Sequence, residues 1–310
     1  MGIQVEIKTL RALVEVAEFG NISQAAISLG LTQSSLSRII SSLEAELGGP
    51  LFHRTGRGVT PTELGEAALP RARGLVVNSE QLIVDMRDLG QAPSGLVTLA
   101  LLPSLMRGIA GDLFEQVRTT YPRVRLRMLE GFSNQIEEWL ADGRADIGLL
   151  SRYRKSRKRD AEILTASQLM LVGIPDQAHR REPIRFAKLA HLPLVLPANP
   201  NGLRAAVDDV ARRMRLKLNV VVEADSLAAQ MAIISRQGCY AVLSPQTVTE
   251  DVACGRLDAR RIIEPEMPRL VVMSTTTQHP LSRAAREVAR LARLLIMSLP
   301  SDDAWPGEPA

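Results

Sequence analysis

The sequence predicts an α/β protein with an N-terminal all-α winged helix-turn-helix, one long linker helix and two α/β lobes. Three observations predict it. Apolar residues between Ser23 and Leu47 recur at helical spacing around a glycine turn. From Pro61 to Leu89 a single narrow seam of small and apolar residues continues for the length of one helix. From Leu96 onward, strand-length apolar runs alternate with helical segments, the order that builds a mostly parallel sheet with helices on both faces.

The first segment has the spacing of two helices crossing at a tight turn. Ala26 supplies the small residue where the second helix crosses the first, Gly30 tolerates the positive φ of the turn, and Leu36 locks the second helix down. Ala25, Leu29, Leu31 and Ile39 fill the supporting positions. Thr32 can cap the second helix, and Leu36, Ile39, Ile40, Leu43 and Leu47 form its buried stripe. The opposite face carries Gln33, Ser34, Ser37, Arg38 and Ser41, all polar and mostly short. Such a face can enter a major groove about 12 Å wide, with Gln33 suited to adenine, Arg38 to guanine or phosphate, and the serines to phosphate oxygens.

Phe52 to Val59 then reads as a short β-wing. Phe52 anchors it, Gly56 and Gly58 permit its turn, and Arg54 and Arg57 project towards a nucleic-acid backbone or minor groove. Thr60 and Glu63 are spaced as a capping box for the next helix, with Pro61 at its first position. This order resembles the LysR-type transcriptional regulators. The resemblance is carried by Ala25, Ala26, Leu29, Gln33, Ser37, Leu43, Glu44, Leu47, Gly48, Leu51, Phe52, Arg54, Thr62 and Gly65. One departure is Ser34, where many members of that family have proline.

The resemblance implies a sequence-specific DNA-binding regulator rather than an enzyme. Its expected partners are a double-stranded, inverted-repeat operator, a small-molecule effector, RNA polymerase and further copies of itself in a homodimer or homotetramer. Thr32, Gln33, Ser34, Ser37, Arg38, Ser41, Arg54 and Arg57 are the expected DNA contacts. No metal or cofactor is expected. Two rivals remain open at this point: an enzyme keeping a vestigial DNA-binding fold, and a regulator driven by cysteine oxidation.

Composition fits this picture. The chain has 310 residues, enough for about two domains, and a net charge of +4. Aromatic residues make up only 3%, so the core must rest on Leu, Val, Ile and Ala. The start shows no signal-like segment and no apolar run approaches about 18 residues, so the expected location is cytoplasmic and no membrane is involved. The winged segment is not itself broadly basic, and a surplus of charge lies instead at Arg152, Arg154, Lys155, Arg157, Lys158 and Arg159, read as a solvated loop. Cys239 and Cys254 form no CxxC pattern and are expected to have no basic or histidine neighbour that would activate them, and the four histidines lack metal-ligand spacing. No serine–histidine–acid order, GxGxxG or paired-carboxylate site stands out.

The assigned organisation is a DNA-binding domain at 1–60, a linker helix at 61–90, a hinge at 91–95, a regulatory domain at 96–300 and a disordered tail at 301–310. Along the linker, Ala68, Ala72, Leu75, Ser79, Leu82, Met86 and Leu89 alternate in steps of four and three, the seam two helices need for side-by-side packing. Leu75, Leu82 and Met86 are the expected dimer contacts; packing of the same stripe on the chain's own domain is the alternative. Pro70 should bend this helix. The two lobes look like a periplasmic-binding-protein fold, in which ligands bind beyond the carboxyl ends of the strands. Three loops fit that position: Ser104 and Leu105 at a helix start, Ser133 and Asn134 after the second strand, and Asn199, Asn201 and Gly202 at a helix start in lobe two. Free N–H groups there favour an anion, and a small carboxylate is the expected effector. Each loop taken singly also fits ordinary turn chemistry.

Overall fold

The computed structural model describes residues 5–55, 58–87, 92–153, 162–175, 182–236 and 238–299. The N-terminal unit comprises α1 (Ile7–Phe19), α2 (Ile22–Ser28), α3 (Gln33–Leu47) and the antiparallel wing β1 (Phe52–Thr55) and β2 (Gly58–Pro61). Leu13, Val16, Ala26, Leu36, Leu43 and Leu51 form its core together with Leu69 from the following helix. Asn21 caps α2 by accepting the N–H groups of Ser23 and Gln24, and Gly30 takes up its positive φ of 65° in the turn. Two bonds fix the wing against the helices: the Leu51 N–H donates to Glu44 Oε1 at 2.8 Å, and the Val59 N–H donates to the Gly20 carbonyl at 2.8 Å.

The structure corrects three local expectations here. Leu47 is 40% exposed at the last turn of α3, which the left-handed Gly48 ends. Pro61 closes strand β2 instead of opening a helix. The cap of α4 (Glu63–Arg87) is therefore Thr62, not Thr60: its Oγ1 accepts the Gly65 N–H at 3.1 Å and donates to the Pro50 carbonyl at 2.6 Å. Gly65 is required beside it, since a Cβ there would stand 2.2 Å from the Leu51 carbonyl oxygen. Thr62→Val should cost about 1–2 kcal/mol of stability, because it removes a cap and orphans a carbonyl. A thermal melt at an unaltered midpoint would contradict that role.

Helix α4 continues through Pro70 as one element. Its early turns pack on α1 through Leu69 and Ala72, so Ala72 belongs to the chain's own core and not to an outward seam. Further along, Leu75, Leu82, Ile83 and Met86 are between 51% and 61% exposed. Leu89 and the first hinge residues, Gly90 and Gln91, lie outside the described residues, as does the tail from 301 to 310.

Lobe one contains β3 (Gly95–Leu101), α5 (Pro103–Thr120), β4 (Val124–Glu130), α6 (Ser133–Ala141), β5 (Ile147–Arg152) and β6 (Glu162–Gln168). Lobe two contains β7 (Met170–Gly173), β8 (Ile184–Arg185), a 3-10 turn (Phe186–His191), β9 (Leu194–Leu196), α7 (Gly202–Arg213), β10 (Val220–Glu223), α8 (Leu227–Ile234), β11 (Tyr240–Leu243), α9 (Pro245–Ala253) and β12 (Asp258–Ile263). The chain then returns to lobe one as β13 (Pro268–Thr275) and α10 (Arg283–Met297). The sheet orders are β4-β3-β5-β13-β6 and β10-β9-β11-β7-β12-β8. Strand β13 runs antiparallel to β5 and β6, and β7 antiparallel to β11 and β12, so each sheet is mixed and not mostly parallel as the strand–helix alternation predicts. The two crossings between lobes touch: the Leu169 N–H donates to the Met267 carbonyl at 2.9 Å.

Candidate functional site

On the first unit, α3 presents Gln33, Ser34, Arg38 and Ser41 to solvent, with Ser37 half-buried. The Thr32 hydroxyl accepts the Ser35 N–H and lies within 3.0 Å of the hydroxyls of Ser34 and Ser35, which pins a small polar cluster at the helix start. Arg54 is exposed on β1, and neither it nor Arg38 forms an ion pair with a described residue. Both guanidinium groups therefore face water with their donors free for phosphate or a base edge. Arg57 lies outside the described residues.

The second candidate site is a cavity of about 80 Å³ between the lobes. Helices α5, α6, α7, α8 and α9 all begin at its walls, through Ser104, Ser133, Gly202, Leu227 and Thr247. Within it sits Arg269, at the head of β13 and 2% exposed. Its Nε donates to Ser151 Oγ at 2.6 Å, one Nη to Ser104 Oγ at 2.9 Å and the other to Gln246 Oε1 at 3.3 Å. All three partners are neutral, and Arg269 forms no ion pair with a described residue. Burial pulls its pKa below the ordinary guanidinium value, partly offset by the nearby Tyr153, whose phenol is itself pushed up by burial. A buried cation held only by neutral dipoles is costly, and an anion brought to it recovers much of that cost.

The sequence-derived loops are placed unequally. Ser104, Ser133, Asn201 and Gly202 line the cavity. Ser133 Oγ is engaged with the backbone of Ser151, donating to its carbonyl and accepting its N–H, and Asn201 Oδ1 caps α7. Leu105 does not fit the role assigned to it. Its side chain is 1% exposed in the lobe-one core, and its N–H donates to the Leu102 carbonyl at 3.0 Å. Asn134 and Asn199 line a separate recess at the cleft mouth, beside Glu138 and Asp225. The residue that sequence reasoning missed is Arg269. Its signal was an arginine at the start of an otherwise apolar strand, Leu270-Val271-Val272-Met273, where a charge has no place unless a site needs it.

Other candidates resolve differently. Arg152 is paired with Glu137, and Arg154 to Arg159 lie outside the described residues. Arg256 stands beside Cys254, so the expectation that neither cysteine has a basic neighbour is corrected. Among the described residues no group of His, Cys, Asp and Glu could hold a metal ion, and no helix is long and apolar enough to cross a membrane.

A winged helix-turn-helix joined by a long helix to a two-lobed domain with a cleft between its lobes defines a DNA-binding regulator of the effector-responsive class. Comparison with known proteins gives the family. Residues 7–66 match the model for bacterial regulatory helix-turn-helix proteins of the lysR family, and residues 90–294 match the LysR substrate binding domain. The chain belongs to the LysR family of transcriptional regulators. It is 28% identical over 294 residues to the nitrogen assimilation regulatory protein nac of Escherichia coli K12, covering 94% of this chain and 95% of that one. The fold is shared with a full-length OxyR variant from Pseudomonas aeruginosa, at a TM-score of 0.72 and 19% identity over 96% of this chain and 99% of that one. It is shared also with full-length CbnR complexed with its target DNA, at a TM-score of 0.63 and 18% identity over 94% and 100% of the two chains. The protein is thus a transcriptional regulator with a DNA-binding and an effector-binding domain.

Proposed function

We propose that this regulator binds an inverted-repeat operator as a homodimer or homotetramer and responds to a small carboxylate held between its lobes. The observation that carries the effector reading is Arg269, a buried guanidinium without a carboxylate partner among the described residues, facing a cavity at which five helices begin. An effector carboxylate would take over donors now shared among Ser104, Ser151 and Gln246, with the α5 and α7 N-termini adding favourable dipoles. Because Ser104 belongs to lobe one and Gln246 to lobe two, that exchange alters a contact spanning both lobes. A ligand shifts the arrangement only through its differential affinity for the two states. The protein acts in the cytoplasm by binding alone, with RNA polymerase as its downstream partner.

Ser104→Leu tests the site. It removes an acceptor from Arg269 and fills the cavity, so the transcriptional response should disappear while operator binding persists. A variant responding at the same half-maximal inducer concentration would place the effector elsewhere.

The DNA reading rests on Arg38 and Arg54 in different roles. Arg38→Ala should cost about 1–3 kcal/mol at the specific site and relax preference at one base position. Arg54→Ala should weaken binding to all sequences alike and reduce the steepness of the salt dependence. Gel-shift titrations at several salt concentrations separate the two, and normal binding by both folded variants would contradict the assignment.

A further inference from the structure

We infer that the effector is a monocarboxylic acid with an apolar body and no α-amino group, a narrowing that rests on the carboxylate reading above. The charges in the cavity set the first limit. Among the described residues that line it, Arg269 is the one cation, and none is Asp or Glu. An α-ammonium group lies two bonds from the carboxylate carbon, so it would be held close to the guanidinium that binds the carboxylate. It would meet a like charge beside a buried guanidinium, with no anionic acceptor among the described lining residues, which disfavours it strongly. A second carboxylate fares no better. Arg269 serves one, and the recess at the cleft mouth offers Glu138 and Asp225, which repel another.

The polar atoms of the walls set the second limit, because most are already bonded within the protein. Ser244 Oγ and Thr247 Oγ1 pair with each other at 2.9 Å, and Gln230 Nε2 donates to the Ala224 carbonyl at 2.7 Å. Ser133 and Asn201 are engaged as described above. What the cavity leaves for the ligand's body is the apolar surface of Leu102, Phe132, Leu169, Leu203, Leu227 and Leu243. Apolar walls around one cation favour a ligand that is charged at one end and greasy at the other.

The test uses purified full-length protein and two matched series that differ only at the α-carbon. Isovalerate is compared with valine and isopropylmalonate, and hydrocinnamate with phenylalanine and benzylmalonate. Binding is read by calorimetry and by the rise in unfolding midpoint, for the native chain, for Arg269→Met and for Ser104→Leu, which blocks the same cavity should the first variant fold poorly. At least one parent acid should bind the native chain, lose binding in both variants, and exceed its amino and dicarboxylate counterparts by at least about 30-fold. An amino acid or malonate binding as well as its parent, with that binding lost in the variants, would overturn the inference and leave the carboxylate reading standing. Binding that survives both variants, or no binding by any member of either series, would overturn both.

Discussion

Replacing Arg269 with methionine should abolish the response to effector while leaving operator binding intact and the free protein as stable as before, or more so. The last part distinguishes a ligand-reading cation from a structural one. A structural arginine contributes ion pairs that its removal would break. Arg269 has only the neutral Ser104, Ser151 and Gln246 around a desolvated charge, so an apolar side chain of similar length relieves a burial cost instead of adding one. The stabilisation that native protein gains from ligand, about 2.7 kcal/mol at a hundred times the dissociation constant, should vanish in the variant. Thermal unfolding with and without ligand checks both halves at once. A free variant destabilised by several kcal/mol would show that Arg269 holds the lobes together and does not await an anion.

The second large effect is expected at the linker helix. Leu75 and Leu82 are 52% and 61% exposed on α4, along with Ile83 and Met86, and such a row of large apolar side chains is costly unless a partner covers it. Changing Leu75 and Leu82 together to Asp should dissociate the proposed dimer. Operator affinity should then fall by about 100-fold or more, because one winged unit engages one half-site and the gain from linking two is lost. Both positions point away from the chain's own core, so the monomer should remain folded. A dimeric sedimentation profile for the folded double variant would show that the partner surface lies elsewhere.

The N-terminal unit was legible because its signals are local. Ala26, Gly30, Thr32 and Leu36 each satisfy a requirement set within a few residues, and the structure meets those requirements in sequence order. Thr60 and Thr62 compete as caps because two hydroxyls flank a proline. Either could cap a helix in isolation, and the pairing of Phe52 with Pro61 in the wing decides between them. Strands β9, β10 and β11 are apolar runs and fit the alternation of strands and helices that begins at Leu96. Strand β6 is no such run, because Glu162–Gln168 is largely polar and buries chiefly Leu164 and Ser167; β13 recruits it as an edge partner. Ala72 departs from the expected seam of α4 for a similar reason, since it fits a dimer stripe and an intramolecular one equally well until α1 is placed against it.

The cleft shows the same division. Helix starts can be found from proline, serine and asparagine, so Ser104, Ser133 and Asn201 could be nominated without coordinates. That α5, α6 and α7 converge on one cavity is a property of the two sheets and their crossings. Arg269 meets Ser104 across 165 residues of sequence and Ser151 across 118. No periodicity encodes such a meeting. A charged residue heading a buried strand is a usable warning, but its partners appear only when β13 is inserted beside β5.

The most direct test of the coupling between cleft and DNA is a footprint. Genomic fragments retained by the purified protein supply the operator, and protection along it is then mapped with and without a carboxylate that binds the native chain. The native protein should protect two half-sites whose pattern changes on adding the ligand, whereas Arg269→Met should protect the same half-sites with a pattern the ligand does not alter. A ligand-dependent change of equal size in both proteins would contradict the assignment of Arg269 as the group that reads the effector.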